Sequence, residues 1–255
     1  MINVLSLVNF DNPRRAVYLD RSFGSFYRFN SGLRHWVIDS SQSLVAQKPY
    51  YDKFGVKVVH RPGATYGQRL HEGVSLIKEE YFVFLPDDFE WIFAYPLAKA
   101  FGQARELNVA ELFLRPRGME WYGQPGAEPQ AWYFGNSVIS GEELRAEGDL
   151  RVSRRWIFRD FHEQFSLGCN AFQTRFAREI FGKIPSKVKS PGQAEKQAYV
   201  RLLPRRYATA YYRMWTPAFH FIDLSVEPDT DNNRLRAKTN LVAENIPIYN
   251  GRYNV

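Results

Sequence analysis

The sequence predicts an α/β protein with a mainly parallel sheet flanked by helices. Three observations carry that expectation: four short apolar runs near the N-terminus, helical periodicity between the third and the fourth, and a second helix-then-strand unit after them. The runs are Ile2 to Val8, Trp36-Val37-Ile38, Val56 to Val59 and Tyr81 to Leu85. Continuous rather than alternating apolar character suits strands buried on both faces. Tyr66 to Glu80 places Leu70, Val74 and Ile77 at helical spacing, and Pro62 and Gly63 mark its entry, so this part reads as a βαβ unit. Ala94 to Leu107 repeats the pattern with Leu97, Phe101 and Ala104 on one face, and Ala110 to Leu114 follows as another strand. The second half is less regular. Met119 to Ser140, rich in Gly, Pro and aromatics, reads as loops with short strands; Gln173 to Phe181 and Gln193 to Leu202 read as helices; from Asp223 to Val255 the periodicity disappears. The expected organisation is one domain over residues 1–222, in two halves at 1–115 and 116–222, followed by an irregular polar tail or lid at 223–255.

The chain has 255 residues, with 34 Lys+Arg against 27 Asp+Glu and a formal charge of +7. A chain of this length can bury roughly three quarters of its unfolded surface and needs no disulfide staples. The single Cys169 excludes a disulfide scaffold and points to a reducing, cytoplasmic setting. MINVLSLVNFDN has no basic lead-in and no small-residue cleavage site, so it reads as a first strand, not a signal peptide. No apolar stretch approaches the roughly 18 residues that span a bilayer. Aromatics at 16% and a pI near 9.4 favour anionic partners such as nucleotides, polyanionic polymers or a membrane face, although a net charge of this size also serves solubility alone.

The strongest local signal is FVFLPDDFEW, where a hydrophobic strand ends in Asp87-Asp88, with Glu90 close behind. In an open α/β sheet, ligands bind beyond the carboxyl ends of the strands. Adjacent carboxylates there repel each other unless a cation or water separates them. Mg²⁺ or Mn²⁺ meets that demand, because these ions take oxygen ligands and keep positions for water and substrate phosphates. An isolated acidic pair would more simply be a solvated turn; the preceding buried strand tips the balance toward the metal.

The stretch HRPGATYGQRLHEGVSLIKEEYFVFLPDDFE resembles the central segment of family 2 type glycosyltransferases of GT-A fold, in which a turn glycine, a helix Arg-Asn pair and a helix glycine precede a strand that ends in an acidic DxD metal motif. Gly63 matches the turn glycine, Arg69 the helix arginine, Gly73 the helix glycine, and Asp87 and Asp88 the metal motif. Pro86 stands where the first acidic residue commonly falls and Leu70 where the Asn does, as in variants whose motif is Glu-Asp-Asp. The resemblance implies a Rossmann-like GT-A domain that moves a sugar from a nucleoside-diphosphate donor, UDP-linked in expectation, to an acceptor hydroxyl with inversion. Residues 1–115 would form its nucleotide-sugar half and 116–222 its acceptor half. Asp88 would bind Mn²⁺ or Mg²⁺, and Asp87 would be its water-mediated partner beside the donor.

The same resemblance extends upstream, where Asn9 falls where such enzymes hold the base and Asp39 matches the strand-terminal Asp that contacts uracil or ribose. A carboxylate accepts hydrogen bonds from an imide or ribose hydroxyls. Asp-Ser-Ser is also good capping material, and both roles stay open for Asp39. Downstream, SPGQAEKQAYVRLL resembles the family's later acidic motif, with Gly192, Glu195, Arg201 and Leu202 retained and Gln193-Ala194 in place of the acidic pair. The catalytic base therefore falls to Glu195, with Glu163 and Asp160 in reserve; an exposed Glu favouring the helix dipole is the plainer alternative. His220, in an apolar strand-like run, is either a core residue or a further metal ligand. Arg234, Arg236 and Lys238 would close over the diphosphate. The resemblance covers Ile2 to Phe93 and Phe165 to Ile222. The unmatched Met119 to Asp160, with Trp121, Tyr122, Trp132, Tyr133 and Phe134, is where such families build acceptor specificity.

Two basic, aromatic segments, RVSRRWIFRDF and RLLPRRYATAYYRMW, raise nucleic acid as an alternative acceptor or, without enzymatic activity, as a binding partner. Pure binding would leave the acidic cluster unexplained. A nucleotidyltransferase would show a Gly-rich loop after the first strand, and NFDNPRRA has no glycine.

Overall fold

The first strand, β1 (Ile2–Val8), is buried along nearly its whole length, because helices cover the sheet on both faces. The computed structural model describes residues 1–10, 12–91, 94–114, 145–147, 150–156, 167–202, 206–212 and 218–220. From β1 the chain runs through a 3₁₀ turn (Pro13–Ala16), α1 (Val17–Phe29), β2 (Leu33–Asp39), α2 (Lys48–Phe54), β3 (Lys57–His60), α3 (Tyr66–Leu76) and β4 (Tyr81–Phe84). β1 pairs in parallel with β2 on one side and β4 on the other, and β2 pairs with β3, giving the order β3-β2-β1-β4. The strand order reverses direction between β1 and β4, and a crevice opens at their carboxyl ends, where open α/β sheets bind ligands.

The four expected strands and the 66-onward helix are present. α3 ends at Leu76 rather than Glu80, because Ile77 is already extended. α1 and α2 were not legible in the periodicity. α1 buries Leu19, Phe23 and Phe26 at helical spacing, but Arg21, Ser22, Gly24 and Ser25 interrupt the stripe.

After β5 (Phe89–Trp91), α4 (Leu97–Glu106) and β6 (Val109–Phe113) match the second expected unit. β7 (Arg145–Glu147), β8 (Leu150–Trp156), β9 (Asn170–Gln173), α5 (Thr174–Phe181), α6 (Pro191–Leu202), β10 (Arg206–Tyr212) and β11 (Ala218–His220) follow. Among the described residues the main sheet has the order β3-β2-β1-β4-β9-β6-β10-β8-β7. Its parallel part is interrupted by β9, which runs antiparallel between β4 and β6, and β8 and β7 are antiparallel at the far edge. A four-residue strand carries too little periodicity to be read in advance, so the sheet is more mixed than the apolar runs imply.

One core layer joins α1, α2 and α4 to the sheet, through Phe23, Phe26, Tyr51 and Phe101. The other joins α3, α5 and α6, through Leu70, Val74, Ile180 and Ala198. No helix among the described residues is long and apolar enough to cross a membrane.

Candidate active site

Asp87 and Asp88 form the turn between β4 and β5, at the crevice. α1 stitches this turn in place. Ser22 Oγ donates to the Pro86 carbonyl at 2.9 Å, the Trp91 N–H donates to Ser25 Oγ at 2.9 Å, and Arg21 pairs with Glu90 at 2.5 Å. From the 3₁₀ turn, Arg15 approaches Asp87 Oδ2 to 3.5 Å. The strand below is tied as well: Ser6 Oγ donates to the Leu85 carbonyl at 2.5 Å.

Asn9 is exposed at the end of β1, beside the crevice. Asp39, at the end of β2, is fully buried. Its Oδ1 accepts the Ser41 N–H at 2.7 Å and its Oδ2 accepts the Tyr51 hydroxyl at 2.6 Å. The turn-holding role is therefore present, and a nucleoside would have to share Oδ2 with Tyr51. Ser41 Oγ in turn accepts the Phe10 N–H at 2.8 Å, so the ends of β1 and β2 are locked together.

Gly63 has φ of 71°, as a tight turn requires, and its N–H donates to the Ser40 carbonyl at 3.0 Å. Thr65 and Gln68 close a capping box at the start of α3. Arg69 is buried; it donates to the Val8 carbonyl at 3.0 Å and lies 5.3 Å from the centre of the Tyr66 ring. It thus holds the end of β1. Gly73 is needed because an added Cβ would stand 2.7 Å from Leu5 Cδ1.

Glu195 lies in α6, where its Oε1 accepts the Leu167 N–H at 2.7 Å. It is partly buried and hydrogen-bonded, not a bare surface Glu. Burial pushes the Tyr66 hydroxyl far above its ordinary range; Glu195 raises it further, Arg69 opposes, and Asp88 and Asp87 add to the rise. Burial likewise raises Tyr51, followed by Asp39 through charge and hydrogen bond, and then by Asp87. Neither tyrosine stood out in the sequence. Tyr51 joins α2 to Asp39 at the end of β2, a relation with no local signature.

β11 pairs antiparallel with β5, and the register sets His220 opposite Phe89, next to Asp88 in the chain. The run around His220 is thus a strand beside the acidic turn. Arg234, Arg236, Lys238, Glu163 and Asp160 lie outside the described residues, as do the aromatics Trp121, Tyr122, Trp132, Tyr133 and Phe134. The two basic segments come together as neighbouring strands, with Arg206 opposite Trp156 and Tyr211 opposite Arg151.

Two carboxylates on a rigid turn suit a hard divalent cation shared with substrate phosphates. Among the described residues no group of three or more His, Cys, Asp or Glu could hold a metal by itself.

Most of the chain resembles solved structures of known proteins. S. aureus TarS 1–349 superposes with a TM-score of 0.54 at 14% identity, over 86% of this chain and 60% of that one. The same protein in complex with UDP superposes with a TM-score of 0.54 at 14% identity, over 94% of this chain and 66% of TarS 1–349. A longer TarS chain superposes with a TM-score of 0.54 at 13% identity, over 88% of this chain and 37% of its own. This chain thus spans less than two thirds of the proteins it resembles. No protein-family model and no curated protein matches the sequence. At such identities the likeness establishes the fold, which is that of the GT-A glycosyltransferases.

Proposed function

We propose that the protein is a metal-dependent glycosyltransferase that moves a sugar from a UDP-linked donor to an acceptor hydroxyl, with inversion. The observation that carries this reading is the acidic turn Asp87-Asp88, which follows β4 at the carboxyl ends of the neighbouring parallel strands β1 and β4 in a fold shared with TarS. The fold shared with TarS, solved with UDP, supports the choice of donor.

Asp88 would ligate Mn²⁺ or Mg²⁺, with Asp87 acting through water and His220 as a further ligand from β11. The cation would neutralise charge that develops on the leaving diphosphate. Asn9 and Asp39 would hold the nucleoside, Asp39 through the oxygen it shares with Tyr51. Arg69 would fix the end of β1 on which the base rests. Arg234, Arg236 and Lys238, from the tail at 223–255, would cover the diphosphate.

Glu195 would take the acceptor proton while the acceptor oxygen bonds to the anomeric carbon and the bond to the diphosphate oxygen breaks. The Leu167 N–H on Oε1 orients the carboxylate for that task. A saccharide or other hydroxyl compound is the acceptor in this reading. Nucleic acid is the second reading, favoured by the pairing of the two basic, aromatic segments as β8 and β10.

The test is a thermal-shift panel of UDP, GDP, CDP, ADP and their sugars with and without Mn²⁺ or Mg²⁺, since a ligand of the folded state raises stability by mass action. A metal-dependent shift with UDP supports the reading. No shift with any nucleotide, together with salt-sensitive retention on DNA, replaces it with nucleic-acid binding.

A further inference from the structure

Three polar side chains sit where the packing would suit apolar ones. Ser6 interrupts β1, His35 interrupts β2 and Ser22 interrupts the buried stripe of α1, and all three are buried. A buried polar group costs stability unless it is bonded, so the bonds it makes show what it serves. Two of the three converge on consecutive carbonyls. Ser6 Oγ donates to the Leu85 carbonyl at 2.5 Å and Ser22 Oγ to the Pro86 carbonyl at 2.9 Å, one from the sheet and one from the helix that covers it. Leu85 and Pro86 are the two residues before Asp87. The ladder between β1 and β4 ends at the Leu5–Phe84 pair, the Leu85 N–H donates to the Leu5 carbonyl at 2.9 Å, and Pro86 has no N–H with which to continue. Serine hydroxyls take over where the sheet pairing ends.

The bonds behind Ser6 run in one direction. A carbonyl only accepts, so the single Ser6 hydroxyl proton goes to Leu85. His35 Nε2, 2.8 Å from Ser6 Oγ, must then carry the proton of the neutral ring and donate it to that oxygen. Nδ1 is left as the acceptor for the Tyr27 hydroxyl at 3.3 Å. Phe23 packs edge-on against the imidazole, with ring centres 4.5 Å apart, and helps hold this orientation. Three donors in series, from α1 through β2 to β1, thus end on the strand terminus that carries the acidic pair.

We propose that Ser6 and Ser22 are positioning residues for the divalent cation, with His35 acting through Ser6: by fixing the Leu85 and Pro86 carbonyls they set the direction in which Asp87 and Asp88 leave the sheet. This rests on the reading of the acidic turn as the metal site. A cation with strict geometry binds more weakly when its ligands drift, and partners that orient metal ligands are commonly worth about 10–100-fold in affinity.

The test compares wild type with Ser6→Ala, Ser22→Ala and Tyr81→Phe. The last variant removes the same kind of bond, from a buried hydroxyl to the Val109 carbonyl at 2.8 Å, but at the other end of β4. Urea unfolding reads stability, and water-proton relaxation reads the affinity for Mn²⁺ alone. Ser22→Ala places a strong helix former in α1, so one serine variant folds even if Ser6→Ala does not. Ser6→Ala and Tyr81→Phe should both lose stability, whereas Mn²⁺ should bind about tenfold more weakly to the serine variants and unchanged to Tyr81→Phe. Wild-type Mn²⁺ affinity in the serine variants overturns the proposal, and so does an equal loss in Tyr81→Phe, which would mark a merely structural effect. Nitrogen-15 NMR of the His35 ring at neutral pH should show Nε2 protonated and Nδ1 bare; the opposite tautomer overturns the part assigned to His35. Wild type that binds no Mn²⁺ overturns the metal reading itself, a result distinguishable from failure of the serine assignment alone.

Discussion

The Tyr51 hydroxyl donates to Asp39 Oδ2 across 2.6 Å, and so joins α2 to the end of β2 in a place where the carboxylate is sealed from solvent. A buried carboxylate that loses a donor carries the full desolvation cost of the unmade bond. Tyr51→Phe should therefore lower stability by about 1–3 kcal/mol. A shift in the urea midpoint at unchanged slope measures it. If Asp39 also holds the nucleoside through this oxygen, the variant retains UDP binding, because the ligand's hydroxyl replaces the phenol.

Asp88→Ala should keep the fold, since Ser22, Ser25 and Arg21 also hold the partly buried turn. The metal-dependent thermal shift with UDP should disappear. Full metal-dependent donor hydrolysis by this variant would refute the ligand assignment.

Glu195→Gln preserves the acceptor oxygen for the Leu167 N–H and removes the proton-accepting charge. Transfer should fall by about 10²–10⁴-fold with UDP affinity unchanged. Single-turnover transfer together with calorimetric UDP binding separates the two effects. Transfer near the wild-type rate would return the base to Glu163 or Asp160.

Gly67→Ala should be more harmful than an ordinary helix substitution. An added Cβ would stand 2.4 Å from the Pro185 carbonyl oxygen, while the Gly67 N–H donates to the Val188 carbonyl at 2.9 Å and Thr65 Oγ1 donates to the Ser186 carbonyl. The start of α3 and the segment before α6 would have to separate, at about 1–3 kcal/mol. Thermal unfolding reads the loss; Gly102→Ala, where a Cβ meets open space, is the control and should be neutral or stabilising.

Acid should weaken the protein through His35. Its Nε2 is 2.8 Å from Ser6 Oγ, whose own proton goes to Leu85, and its Nδ1 is 3.3 Å from the Tyr27 hydroxyl. The neutral ring fits that chain of bonds, and burial lowers its pKa from 6.5 to about 3. Burial also raises Tyr27 to about 12, so it stays a donor. The unfolded chain therefore binds a proton that the folded one refuses between pH 6.5 and 3. Stability is complete above that window and falls as pH drops through it, by about 2 kcal/mol at pH 5. Urea midpoints at pH 7.5 and 5 should differ accordingly, and His35→Gln should flatten this part of the profile.

Strand runs, the turn glycine and the acidic pair were legible because each is written in a few adjacent residues. Tyr81 to Leu85 must be a buried strand, Gly63 must take a positive φ, and Asp87-Asp88 must follow the strand directly. α1, with its stripe broken by polar residues that turn out to clamp the acidic turn, could not be read that way. Those residues are polar because they bond to Pro86, Glu90 and Trp91, 64 to 69 positions away.

By itself the sequence determined an α/β sheet with a carboxylate pair at a strand's end, since the period of apolar residues and the rigidity of short turns are local matters. Tertiary structure alone decided that β9 enters antiparallel between β4 and β6, that Tyr51 seals Asp39, that Arg15 pairs with Asp87, and that Glu195 accepts the Leu167 N–H. Each depends on which distant segments pack together. That choice is set by burial summed over the whole core and by the pairing of buried polar groups, and no window of adjacent residues contains either.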